Sequence, residues 1–157
     1  MREILFRAKR KDNGKWVCGF YSQLPKPSLG ATIITNGDLC AEDVSDYIIV
    51  NESKQHSNFS SAYPIEVVEC EYYEIDSETL CQYTGLTDKN GNRIWENDIV
   101  RIENSMDEGI GNIKFCGGMW YADGKPNNSL YDIVEYDEAD VEVIGNIFDN
   151  TEPMKGE

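Results

Sequence analysis

Apolar residues in this chain come in short runs, each closed by a turn signal, and that spacing constrains the fold more than any other feature. Ile4-Leu5-Phe6-Arg7-Ala8 is followed by the polar turn Lys11-Asp12-Asn13-Gly14-Lys15 and then by Trp16-Val17-Cys18-Gly19-Phe20-Tyr21. Asn and Gly tolerate the positive φ of a tight turn, so two apolar runs around Asn13-Gly14 read as a β-hairpin. Residues 22–28 hold Pro25 and Pro27 and read as a connector, because a central strand does not accept proline. Ala31-Thr32-Ile33-Ile34, a turn at Asn36-Gly37, and Leu39-Cys40 form a second candidate hairpin. Tyr47-Ile48-Ile49-Val50 is a further strand, and the polar residues 51–61 an exposed loop. In residues 65–75 the alternation changes phase at Val68, Cys70 and Tyr72, which a β-bulge would explain.

The pattern continues to the C-terminus. Thr79-Leu80-Cys81-Gln82-Tyr83-Thr84-Gly85-Leu86 is a strand, Asp88-Lys89-Asn90-Gly91 a turn, and Arg93-Ile94-Trp95 a short return. Glu96-Asn97-Asp98 turns into Ile99-Val100-Arg101-Ile102. Gly111-Asn112-Ile113-Lys114-Phe115 alternates, Met119-Trp120-Tyr121 follows, and Val141-Glu142-Val143-Ile144-Gly145-Asn146-Ile147-Phe148 closes the series. The glycines of Gly109-Ile110-Gly111 and Gly117-Gly118 read as turns or bulges. One stretch is ambiguous: Leu130, Ile133 and Val134 sit at helical spacing behind Ser129 as a cap, yet Tyr, Ile and Val suit a strand equally. Short strands with a turn every ~8–12 residues make an all-β sandwich or small barrel.

Length and composition agree. At 157 residues with 40% hydrophobic content, the chain can build a core without disulfides or metal. No apolar run approaches the ~20 residues of a membrane span, and charges interrupt the N-terminus too early for a secretory signal. A soluble protein of the cytoplasm, with no membrane partner, is expected. The cysteines Cys18, Cys40, Cys70, Cys81 and Cys116 are scattered, without C-x-x-C spacing, and are expected to be small buried apolar residues.

Charge is unevenly placed. The net charge is −15, yet residues 1–16 set six Lys and Arg against two acids. An acidic body repels phosphate backbones, so direct nucleic-acid binding is not expected outside that basic patch. The acidic stretch Asp132, Glu135, Asp137, Glu138, Asp140, Glu142 contains no basic residue. It suits a solvated face, a docking patch for a basic partner (the N-terminal segment of another subunit included), an imitation of DNA's phosphate array, or a weak divalent-cation site.

Catalytic patterns are missing. His56 is the sole histidine, in a polar loop without a patterned partner, so no cysteine has an activating base. Asp88-Lys89-Asn90-Gly91-Asn92 lacks the third ligand and distant Glu of a calcium loop and reads as a hairpin turn. No catalytic, cofactor-binding or metal residue is assigned. The neighbours Tyr72-Tyr73 and Trp120-Tyr121 send side chains to opposite strand faces, so one of each pair points outward unless a second layer or subunit covers it. That favours a homo-oligomer.

Three blocks carry a family resemblance. They are residues 4–9 with 13–20 (Ile4-Leu5-Phe6-Arg7-Ala8-Lys9, Asn13-Gly14-Lys15-Trp16), residues 78–100 (Thr84-Gly85-Leu86-Thr87-Asp88-Lys89-Asn90-Gly91 through Trp95-Glu96-Asn97-Asp98-Ile99-Val100), and residues 143–150 (Ile144-Gly145-Asn146-Ile147-Phe148-Asp149). In this order they resemble the YopX-like family of phage and prophage proteins. The resemblance implies an all-β chain of coiled, bifurcated sheets with few or no helices and a small SH3-like barrel in the C-terminal half. It assigns no catalytic residues. Residues 1–150 would form the YopX-like domain, with hairpins and sheet over 1–76 and the barrel-like part over 77–150, ahead of a polar tail at 151–157. Asn97 and Cys81 stand where the family more often has Gly; Asn tolerates positive φ, so the turn should survive, while Cys81 leaves local packing open. The function expected is a non-enzymatic phage or prophage protein of the bacterial cytoplasm, working by self-assembly or by binding a basic host or phage protein. The alternatives are an acidic DNA mimic or nucleic-acid-associated module, and an enzyme of unknown type.

Overall fold

The structure is a computed structural model, and it describes residues 4–25, 44–54, 67–103, 108–123, 129–135 and 139–149. Its strands are β1 Phe6–Arg10, β2 Trp16–Pro25, β3 Val44–Lys54, β4 Val67–Thr87, β5 Arg93–Trp95, β6 Asp98–Glu103, β7 Glu108–Cys116, β8 Met119–Ala122 and β9 Asp140–Asn146. One helix, α1, spans Leu130–Glu135. All registered pairings are antiparallel. The chain is thus all-β with one short helix, as expected.

Two compact units divide within β4: Leu5–Leu80, and Cys81–Glu157 with Met1–Ile4. In the first unit, β1 pairs with β2, β2 with β3 and β3 with β4, and a further β1–β4 pairing closes that order on itself. The first hairpin turns where the sequence places it, with Gly14 at φ 67°. Alternation then sorts the side chains. Ala8, Ile48 and Ile75 are fully buried, with Phe6, Val17, Tyr21, Val50 and Leu80 packed around them. In the second unit the sheet order is β8-β7-β6-β9, and β5 pairs with the end of β4. Its core joins Ile94, Val100, Ile102, Ile113 and Trp120 to Leu130 and Ile133 of α1. No pairing among the described residues closes this four-stranded sheet into a ring. No helix among them is long and apolar enough to cross a membrane.

Several expectations need correction. Residues 22–25 are not a connector: Ser22↔Tyr47 through Pro25↔Val44 extend the β2–β3 ladder. Proline is tolerated because β1 registers only with Trp16 to Gly19, leaving this end of β2 paired on one side. Asn51 to Lys54 belong to β3 and pair with Val67 to Cys70 rather than forming a loop. That ladder runs unbroken from Tyr47↔Glu74 to Lys54↔Val67, so no bulge lies at Val68. From Cys70 on, both parities carry apolar residues, Cys70 and Tyr72 on one and Tyr73 and Ile75 on the other, so a change of phase in the sequence needs no break in pairing. β4 also continues through Asp76, Ser77 and Glu78, where a break was expected. There Thr79 hydrogen-bonds locally to the Asp76 carbonyl (2.7 Å) and accepts the β1 backbone N–H of Lys9 (2.8 Å). Gly109 and Gly111 lie within β7, in neither a turn nor a bulge, since their pairing with β6 keeps its register; a Cβ at Gly111 would come 2.6 Å from the Asp123 carbonyl oxygen.

The ambiguous segment is helical. Asp132 N–H donates to Ser129 Oγ (3.1 Å), and Ser129 Oγ–H donates back to the Asp132 carboxylate (2.7 Å), a capping arrangement that fixes the first turn. Among the described cysteines the expected burial holds for Cys81 alone: Cys18 and Cys116 are exposed and Cys70 is half-buried. Strand alternation puts Cys18 on the outward side, and Cys116 ends at the Gly117-Gly118 hairpin tip. The hairpin at 31–40, Cys40, His56 and the 151–157 tail lie outside the described residues.

Candidate interaction surfaces and the motif residues

The carboxylates of the most motif-like block are taken up by backbone and amide donors. Asp88, buried, accepts Asn90 N–H (2.9 Å) and Asn92 N–H (2.8 Å) on Oδ1. Its Oδ2 accepts the Asn92 side-chain amide (3.1 Å) and Val143 N–H (3.2 Å) of β9. Lys89 N–H donates to the Val141 carbonyl (2.9 Å), so the turn after β4 is fastened along β9. Burial by itself pushes the Asp88 carboxyl up, but the bonds from Asn92, Val143 and Asn90 outweigh it and hold the group below the ordinary carboxylate value.

Asp98, fully buried, works similarly one turn later. It accepts Trp95 N–H (2.9 Å) and the Asn146 amide (3.3 Å), while Asn146 Oδ1 accepts Phe148 N–H (2.9 Å). Between them Asn97 sits at φ 65°, a left-handed conformation that Asn accepts. Its side-chain amide lies 3.8 Å from Cys81 Sγ, so the two departures from the family pattern meet each other. These residues tie strands together and leave no carboxylate pair poised over a cavity. Among the described residues no group of three or more His, Cys, Asp or Glu could hold a metal ion.

Surfaces that can bind lie elsewhere. In the second unit a shallow cavity of about 350 Å³ is lined by Thr84, Gly85, Leu86, Met119, Trp120, Ser129 and Tyr131. Met119 and Tyr131 are exposed at its edge, and Phe115, also exposed, packs its ring 4.8 Å from that of Trp120.

In the first unit the outward face of the sheet carries an apolar row. Phe20 is opposite Ile49 on β3, and Ile49 is opposite Tyr72 on β4. Directly paired residues share a face, so the three side chains stand side by side across three strands. Phe20 is 47% and Tyr72 55% exposed, whereas Ile48, in the next row over, is fully buried. Trp16 and Cys18 share this face by alternation along β2, and Arg7 and Lys9 share it on β1 through Arg7↔Cys18 and Lys9↔Trp16. Both cations stand over the Trp16 ring, Arg7 at 4.8 Å and Lys9 at 5.5 Å from its centroid. The expectation that one of Tyr72 and Tyr73 points outward is met by Tyr72, and of Trp120 and Tyr121 it is Trp120 that is buried. The row itself was not foreseen. Its signal is that both parities of residues 16–21 are apolar, which a one-sided strand does not need.

Fold and motif together define an antiparallel β protein of two units whose signature carboxylates and amides are structural fasteners. The chain belongs to the YopX family: the model described as YopX protein matches residues 5–155. Among solved structures it is similar to the crystal structure of protein EF1440 from Enterococcus faecalis, at 20% identity over 97% of this chain and 98% of that one, with a TM-score of 0.51. At that identity the likeness speaks to the fold. No curated protein matches the sequence.

Proposed function

We propose that the protein is a non-enzymatic phage- or prophage-type protein that acts in the bacterial cytoplasm by protein–protein association, self-assembly included. One observation carries the reading: the Phe20–Ile49–Tyr72 row, with Phe20 and Tyr72 exposed and Ile49 half-buried between them, on a sheet whose other face already has its core. A contiguous apolar patch flanked by charge is the usual mark of an association surface, and aromatic side chains dominate the energetics of such surfaces. The fastener role of Asp88 and Asp98 supports the non-enzymatic part, since a carboxylate saturated with donors is a poor general base. In this reading the four-stranded sheet with the β4–β5 hairpin is the SH3-like part of the fold.

Light scattering coupled to size exclusion tests it. The expected mass is a multiple of the 17.8 kDa chain, or a stable complex with a protein captured from the host. The pair Phe20→Ser and Tyr72→Ser is expected to weaken association by about tenfold or more, the size of one lost hot spot. A strict monomer at all concentrations that captures no partner overturns the proposal.

A further inference from the structure

The row on the first unit is apolar at its centre and cationic on one side. Passing from β4 to β1 across the outward face, the side chains run Tyr72, Ile49, Phe20, then Cys18 and Trp16, then Arg7 and Lys9. A binding partner should therefore offer an apolar or aromatic anchor with carboxylates beside it. The chain carries such a sequence itself. Tyr131 is about half exposed, Asp132 next to it is exposed, and the acidic residues 132–142 contain no Lys or Arg. The opposition is general as well as local: residues 1–16 carry a net +4, whereas residues 81–157 set sixteen acids against six bases.

We infer that the outward face of the Leu5–Leu80 unit docks the acidic α1–β9 region of a second copy of this chain. The inference rests on the association reading above and names its partner. Tyr131 of one copy would cover the Phe20–Ile49–Tyr72 row of the next, and Asp132 and Asp140 would face Arg7 and Lys9. Complementary potentials of this kind set partner choice and encounter rate more than final affinity. The two patches differ, so the contact is head-to-tail and continues until a ring closes or a filament grows. Nucleic acid fits this face less well. The net charge of −15 repels a phosphate chain, and the Trp16 ring is already occupied by Arg7 and Lys9 rather than open for a base.

The test uses the full chain in sedimentation velocity and light scattering. Self-association is expected to weaken by about tenfold or more between low and high salt, because charges at the rim of a contact are screened. Arg7→Glu with Lys9→Glu should give monomers, and so should Asp132→Lys with Asp140→Lys. Mixing the two double variants should restore a complex, since each retains what the other lost. Circular dichroism checks that each variant folds, and Tyr72→Ser weakens the contact with every charge in place. An oligomer untouched by salt and by both reversals overturns this inference while leaving association standing. A wild-type chain that is monomeric throughout and captures no partner overturns both. A short fluorescent single-stranded oligonucleotide that binds wild type and is lost in Tyr72→Ser overturns it in favour of nucleic acid.

Discussion

Asp88 combines burial, a negative charge and four accepted hydrogen bonds, three of them within its own turn and one from β9. Asn in its place keeps the size but presents an NH2 group where at least one donor N–H now points. Hydrogen bonds to a charged acceptor contribute ~1.5–3 kcal/mol each way, so Asp88→Asn is expected to cost about 2–4 kcal/mol in urea unfolding at neutral pH. The sign of the pH effect follows from the depressed carboxyl. The unfolded chain takes up its proton near pH ~3.9, before the folded one does, so this stability is present above that pH and is lost as pH falls towards the folded value. Asp46 adds to the same acid limb, held low by the Tyr21 hydroxyl (2.6 Å) and the Gln23 amide (3.1 Å). Asp88→Asn should therefore show a shallower loss of stability below pH ~4 than wild type. An unchanged acid limb would mean Asp88 is not a fastener. The sequence makes the turn at residues 88–92 readable, because Asp-x-Asn-Gly is turn chemistry. It does not reveal that the same carboxylate reaches Val143, 55 residues away, since no local pattern encodes that contact.

At the scale of elements, β2 and β3 come together more closely than side chains allow at Gly19. A Cβ there would lie 2.2 Å from the Ile49 carbonyl oxygen and 3.0 Å from Ile48 Cγ2. Gly19→Ala must push β3 away from β2, and overpacking of this kind costs ~1–3 kcal/mol or more. Chemical denaturation should show that loss, while Cys18→Ala, one residue away on the outward side, should stay within ~0.5 kcal/mol of wild type. The hairpins at Asn13-Gly14, Asn97 and Gly117-Gly118 were legible because positive φ selects a narrow set of residues. What failed were inferences from polarity and proline: Ser22 to Pro25 and Asn51 to Lys54 read as loops and are strand. In a paired ladder the backbone bonds hold the strand whatever its side chains, so a polar end can extend a strand beyond its apolar centre. The outward row was illegible for a related reason. Phe20, Ile49 and Tyr72 become neighbours only through register, a long-range property that one sequence does not print.

The two units have cores of unequal size, and one strand, β4, has residues in both. Among the described residues, the second unit's core gathers nine buried side chains from β5, β6, β7, β8, α1 and β9. The first unit's core has Ala8, Ile48 and Ile75, with partly buried neighbours. Local opening free energy follows the apolar contacts that must be broken, so amide exchange should be slower in β6 and β7, around Val100, Ile102 and Ile113, than in β1 and β3. β4 makes the sharper test, because it is one strand with its residues in both units. Its amides from Cys81 onward should exchange with the slow set, and those facing β3, from Val67 to Glu74, with the faster one. If association buries the Phe20–Ile49–Tyr72 row, raising protein concentration should slow exchange in β2 and β3 selectively and leave β6 and β7 at their former rate. Uniform protection along β4, with no concentration dependence in β2 and β3, would instead mark a single cooperative body that meets no second copy on that face.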